Sequence, residues 1–262
     1  STWSVNKFFQ SVVSNKFVYF GEYWYDNGGL PSILVNYLKT HELNIFEYLD
    51  KDKFLKVSSD DFKNPTALTT INQNVLMCQT GYLTLRSDLN KTSTVALGIP
   101  NGEIYKALNR LLANNIFKGN TDITDDYGRS LLEVGTVDDI INLFNSALNS
   151  VSYDNYPIVS ESSVQNMLKL YLLGAHQKVL SELHEAKGRA DLVVNTDNRR
   201  IVFEFKYAKN ETEAKSKLLD AVEQIKTRDY GNIVPKKTEL LRIATVFNAD
   251  PKVRAFTEYQ SV

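Results

Sequence analysis

Gly188-Arg189-Ala190-Asp191-Leu192-Val193-Val194 and, across the turn Thr196-Asp197-Asn198, Arg200-Ile201-Val202-Phe203-Glu204-Phe205-Lys206-Tyr207 decide how the chain is read. Two apolar runs joined by a short polar turn spell a β-hairpin. Side chains alternate along a strand, so Ile201, Phe203, Phe205 and Tyr207 share one face and Val202, Glu204 and Lys206 the other. An acid and a base two residues apart, back to back with an aromatic stripe, are unusual for an ordinary strand. A half-buried carboxylate is costly unless it is paired or coordinates a metal. Asp191 opens the preceding strand and can lie beside Glu204. Two adjacent carboxylates repel each other, and a divalent cation relieves that repulsion.

Oxygen donors of this kind suit Mg²⁺ or Mn²⁺, which are held by one or two carboxylates, waters and substrate phosphate. Asp191, Glu204 and the backbone carbonyl of Phe205 are the expected metal ligands. Lys206 would orient a water or stabilise a phosphate in its transition state. Outward from the hairpin, Ser160 is an expected N-cap for a helix bearing Val164, Met167, Leu168, Tyr171 and Leu172. Glu161 on that helix is either a third carboxylate of the site or an ordinary first-turn glutamate favoured by the helix dipole. Val179–Leu183 reads as a strand, Glu211–Lys226 as a helix showing Ala214, Leu218, Ala221, Val222 and Ile225, and Leu240–Phe247 as a last strand. The order is helix, three strands, helix, strand. Gln224, Lys226 and Tyr230 could line the same cleft, and Arg189 is either a solvated turn residue or a phosphate contact. His176 and His184 have no third partner for zinc.

The first half reads differently. An aromatic stretch from Phe17 to Tyr25 ends at the turn Asp26-Asn27-Gly28-Gly29, and core packing or base stacking would each account for it. Val75–Cys78 ends a helix closed by Gly81. Tyr82–Leu85 and Val95–Ile99 look like two short strands, and Pro100-Asn101 starts a helix with Ile104, Leu108, Leu111 and Leu112 on one face. Helix, hairpin, helix points to a small module resembling a winged helix. The expected organisation is a mainly helical region with a hairpin over 1–118, a linker and helix over 119–150, and an α/β unit over 151–262.

The formal net charge of −1 excludes a protein that coats nucleic acid through bulk charge, although the part after Ser150 is slightly basic. The single cysteine, Cys78, excludes an intramolecular disulfide and fits a reducing compartment. No apolar run approaches a membrane span. The expectation is a cytoplasmic protein with no membrane partner.

Gly188–Val194 followed by Ile201–Lys206 resembles the Asp…Glu-x-Lys signature of the PD-(D/E)XK nuclease superfamily. It looks most like the bacterial branch in which the nuclease follows an AAA-ATPase-like domain. That branch has a Gly-Arg-x-Asp-Leu-Val turn and strand, a Phe-Glu-Phe-Lys strand and a helix ending Gln-Ile-Lys, here Gln224-Ile225-Lys226 followed by Tyr230. Its upstream helical glutamate corresponds to Glu161, and its Ser-Glu pair to Ser181-Glu182. Tyr23–Pro31, Gln79-Thr80-Gly81-Tyr82-Leu83-Thr84 and Leu97-Gly98-Ile99-Pro100-Asn101 resemble segments downstream of its ATPase core. The resemblance implies a restriction-endonuclease-like αβββαβ domain and a Mg²⁺- or Mn²⁺-dependent nuclease acting on DNA or RNA. Asp191, Glu204, Lys206 and Glu161 would be catalytic, and Arg189, Gln224, Lys226 and Tyr230 would touch nucleic acid. Its alternative is an inactive nuclease fold that binds nucleic acid or a protein partner. No Gly-x-x-x-x-Gly-Lys-Ser/Thr loop occurs, so the resemblance implies a C-terminal fragment or a member without the ATPase, with an ATPase region as a further possible partner.

Overall fold

The computed structural model describes residues 2–15, 32–64, 67–87, 93–117, 126–175, 177–185, 188–228 and 238–262. The aromatic stretch Phe17–Tyr25, the turn after it, Tyr230, His176 and Lys236-Lys237 lie outside the described residues. The chain divides into two compact units, Ser1–Asn115 and Ile116–Val262. Among the described residues no helix is long and apolar enough to cross a membrane.

The first unit contains α1 (Thr2–Asn15), α2 (Ser32–Leu38), β1 (Leu55–Ser58), α3 (Asp60–Lys63), α4 (Gln73–Gln79), β2 (Thr84–Leu85), β3 (Thr94–Gly98) and most of α5 (Gly102–Ile116). The expected hairpin is present as β2 and β3. β1 adds to the other edge of β3, giving a three-stranded antiparallel sheet in the order β1-β3-β2. Gly81 closes α4 with φ 88°, a conformation that favours glycine. The Asn101 side chain accepts from Ile104 N–H at 2.9 Å and so caps α5. Ile104, Leu108, Leu111 and Leu112 are buried along one face of that helix. Buried Tyr48 donates its hydroxyl to Asn74 Oδ1 at 2.6 Å, which satisfies both polar groups.

The second unit runs α6 (Asp126–Val134), α7 (Val137–Asn149), α8 (Glu161–Gly174), β4 (Lys178–Glu185), β5 (Gly188–Asn195), β6 (Arg199–Ala208), α9 (Glu211–Arg228), β7 (Glu239–Asn248) and β8 (Ala255–Ser261). Its sheet has the order β4-β5-β6-β7-β8. Only β6 and β7 are parallel, joined through α9. β8, absent from the expected order, pairs antiparallel with β7 through an irregular register at Val246/Phe247. The side-chain amide of Asn145 on α7 stands in for a further strand there. It accepts from Phe256 N–H at 2.8 Å and donates to Phe256 O at 3.1 Å.

The two faces of β6 are sorted by parity. Phe203 and Phe205 stack on each other with centroids 5.7 Å apart, and Phe144 of α7 and Phe256 of β8 close over them. On the opposite face Val202 packs with Ala221, Val222 and Ile225 of α9, and Ala208 packs with Ala214 and Val246. The small alanines let α9 approach the sheet closely. Glu204 and Lys206, between Val202 and Ala208 on the strand, therefore emerge on the face that α9 covers.

Truncation of a core aromatic at this crossing should cost far more than truncation on the outer face of α9. Phe203→Ala is expected to lose about 3–5 kcal/mol in urea unfolding. Leu219→Ala, at a side chain 71% exposed, should change stability by less than about 0.5 kcal/mol.

Candidate active site

The hairpin ladder between β5 and β6 runs from Asn195↔Arg200 to Leu192↔Phe203. One step further the Asp191 side chain takes over, and its Oδ2 accepts from Phe205 N–H at 2.9 Å. This fixes the carboxylate against the edge of β6, and the place beside Glu204 where the ladder stops is here called the notch. Glu204 is fully buried. Its Oε1 accepts from Lys206 Nζ at 2.8 Å, while its Oε2 is buried with no hydrogen-bond partner among the described residues.

Glu161 reaches the same lysine from α8, with 3.8 Å between Lys206 Nζ and Glu161 Oε1. Local sequence puts it there. Ser160 and Ser163 form a capping box in which Ser163 N–H donates to Ser160 Oγ at 3.2 Å and Ser160 N–H to Ser163 Oγ at 2.9 Å. The helix must therefore begin at Glu161. Glu161 thus stands in the first turn of α8 and at the same time pairs with Lys206.

Three carboxylates against one bridging lysine leave the notch with excess negative charge. Burial, then the charge of Asp191, pushes the Glu204 carboxyl up to about 7 in spite of the Lys206 bond, with Glu161 adding to the rise. Burial likewise raises Glu161, with Lys206 and Lys217 acting against it. Burial works against the charge of Lys206, but the bond to Glu204 and the surrounding carboxylates outweigh it, and its pKa lies above the usual lysine value.

Lys217 of α9, not singled out from sequence, belongs to this neighbourhood. Its Nζ donates to Tyr207 O at 2.6 Å and pairs with Glu213 Oε1 at 2.9 Å. The i,i+4 spacing of Glu213 and Lys217 reads as a surface pair. The signal was the short turn after Ala208, which lays the first turns of α9 over the end of β6. Gln224 is half-buried and Lys226 exposed near the other end of α9. Lys226 stands about 14 Å along the axis from Lys217 at a rise of roughly 1.5 Å per residue. The backbone of Arg189 lies in β5, but its side chain, like those of Ser181 and Glu182, is outside what the structure describes.

Among the described residues no group of three or more His, Cys, Asp or Glu side chains is gathered closely enough to hold a metal on its own. The donor set nevertheless fits a hard cation that keeps waters and takes one or two carboxylates. Glu204 Oε2 is a buried oxygen with no partner, beside the Asp191 carboxylate. A cation would satisfy the first and relieve the repulsion between the two.

Residues 159–257 match the family model described as the PD-(D/E)XK nuclease superfamily. The matched segment runs from just before α8 into β8 and contains Glu161, Asp191, Glu204 and Lys206. A comparison with curated proteins gave no match.

The charge excess has a consequence for stability in the metal-free protein. Glu204 has a folded pKa of about 7 against an ordinary value of 4.5. The folded state thus holds a proton that the unfolded chain releases. Stability should fall as pH rises from 4.5 to 7 and level off above. Glu204→Gln, which keeps an acceptor for Lys206, should flatten this slope and be more stable than wild type above pH 7 by on the order of 3 kcal/mol. Urea unfolding in EDTA across pH 4.5–8 checks both sign and window.

Proposed function

We propose that the second unit is a divalent-metal-dependent nuclease that hydrolyses phosphodiester bonds of DNA or RNA. The observation that carries this reading is the buried, unpartnered Glu204 Oε2 in a notch shared with Asp191 and Lys206. The superfamily match over residues 159–257 supports the same chemistry.

Asp191 and Glu204 would hold Mg²⁺ or Mn²⁺. The carbonyl of Phe205 would join them, since a strand residue's N–H and C=O leave by the same edge and the N–H of Phe205 already faces Asp191. The ion, when bound, lowers the pKa of water and offsets charge on the phosphate. Lys206, anchored by Glu204, presents its remaining N–H donors to the attacking water or to phosphate oxygens. Glu161 holds the ammonium from the far side and keeps it over the notch. Arg189, Gln224, Lys226 and Tyr230 are proposed to contact the nucleic acid on either side. The likeness of Gln79–Thr84 and Leu97–Asn101 to segments that follow an AAA-ATPase-like domain supports an ATPase region as partner of the first unit.

Purified protein should cleave labelled DNA or RNA with Mg²⁺ or Mn²⁺, and EDTA should stop it. Lys206→Met and Asp191→Asn should each lower the cleavage rate by about 10²-fold or more. Undiminished cleavage in either variant would sink the assignment. Mg²⁺ binding in calorimetry without cleavage of any nucleic acid would favour a binding module on the same fold.

A further inference from the structure

Tyr207 follows Lys206 directly and is the first residue of the aromatic stripe on β6 to escape burial. Its ring stacks on Phe247 with centroids 6.4 Å apart and planes inclined by 23°. Its carbonyl is tied to Lys217, which stands close enough to act electrostatically on Glu161. Across β7 the register carries on from Phe247 to Phe256, two residues beyond Arg254, and burial, with Tyr153 as a lesser cause, raises the Tyr207 hydroxyl. Tyr153 lies on the segment leading into Ser160 and Glu161. The guanidinium of Arg254 lies over the Tyr153 ring, 3.5 Å from its centroid.

Arg254 has the only positive φ among the described non-glycine residues, 44°. An L-residue adopts that conformation at a cost. Its Nε is buried without a hydrogen-bond partner among the described residues. The guanidinium thus lies against a ring face while the hydrogen on Nε is left without an acceptor. Tyr153, Tyr207 and Arg254 are all half-exposed. A cation lying over a half-exposed tyrosine, at the same end of the sheet as a second half-exposed tyrosine, matches how unpaired bases are held, by stacking on aromatic and guanidinium planes. A base-paired duplex keeps its base faces covered and offers such a surface only its backbone.

We infer that Tyr153, Arg254 and Tyr207 form a stacking ledge for an unpaired base next to the phosphate to be cleaved, so that the substrate is single-stranded nucleic acid. This rests on the nuclease reading above and names its substrate class. Lys217, between the ledge and Glu161, would meet the phosphate that joins the stacked nucleotide to the site.

Fluorescence anisotropy of the full chain in EDTA, where no cleavage occurs, compares labelled oligothymidylate, the same strand as a duplex, and an abasic strand of equal length. Oligothymidylate should bind about ten-fold or more tighter than either, because one stacked base contributes roughly 5- to 150-fold. Tyr153→Ala should weaken oligothymidylate binding by about five-fold or more and leave the abasic strand unchanged, whereas Tyr153→Phe should bind like wild type. Duplex or abasic strand bound as tightly as oligothymidylate, or wild-type affinity in Tyr153→Ala, overturns the ledge. Mg²⁺-dependent cleavage by the wild type then shows that the nuclease reading survives. Absence of Mg²⁺-dependent cleavage of both strand forms sinks that reading, whatever the ledge binds.

Discussion

Glu204 is a charge-bearing side chain placed by strand alternation where the fold would otherwise put an apolar one. Val202 before it and Ala208 after it face α9 and are buried under that helix. Burying a carboxylate there is unfavourable unless something compensates it. Lys206, the next residue on the same face, supplies one bond at 2.8 Å and a positive charge. That compensation is incomplete, because Asp191 and Glu161 converge on the same lysine and one oxygen of Glu204 has no partner. The surrounding architecture keeps these groups together. Asp191 is locked to the Phe205 amide, Glu161 is fixed by the capping box at the start of α8, and α9 lies close because alanines face the sheet.

The stability that tolerates this arrangement comes from the other face of the same strand. Phe203 and Phe205, with Phe144 and Phe256, make an aromatic cluster in which every ring meets at least one neighbour. Each fully buried aromatic contributes several kilocalories per mole, by the order of truncation costs of about 3–5 kcal/mol. A fold that loses part of that gain to an uncompensated carboxylate still remains folded. Strong aromatic packing behind a frustrated charge cluster is the physical pattern expected where binding, rather than stability, determines residue choice.

Much of this was legible because the hairpin carries both signals at once. Period-two alternation fixed which residues of β6 share a face, the Thr196–Asn198 turn fixed that Asp191 comes near Glu204, and Ser160 marked the start of α8. The helix Glu211–Lys226 showed the same apolar positions that pack in the structure. The missed elements lack such signals. β8 carries only Phe256 as a fully buried residue and is an edge strand, so its pattern reads as loop. β1 is four residues long, and its place on β3 depends on a pairing distant in sequence. Lys217 has the spacing of a helical surface pair with Glu213, and its part in the neighbourhood of Glu161 depends on the crossing of α9 over β6, which the spacing does not encode.

The position of Tyr207 follows from the same parity rule that buries Phe203 and Phe205. At this end of the sheet the aromatic face of β6 reaches solvent while the charged face still carries Lys206. Any polymer lying across the strand ends would therefore meet the face that carries Lys206 and its carboxylates on one side and half-exposed rings on the other. A nucleic-acid strand has those two surfaces, a backbone of phosphates and a series of bases. Duplex pairing hides the second. The alternation that gathers the charged cluster thus also brings Tyr207 to the solvent edge of the opposite face, at the end of the sheet that leads on to Arg254, where the proposed ledge would let an unpaired strand use both surfaces.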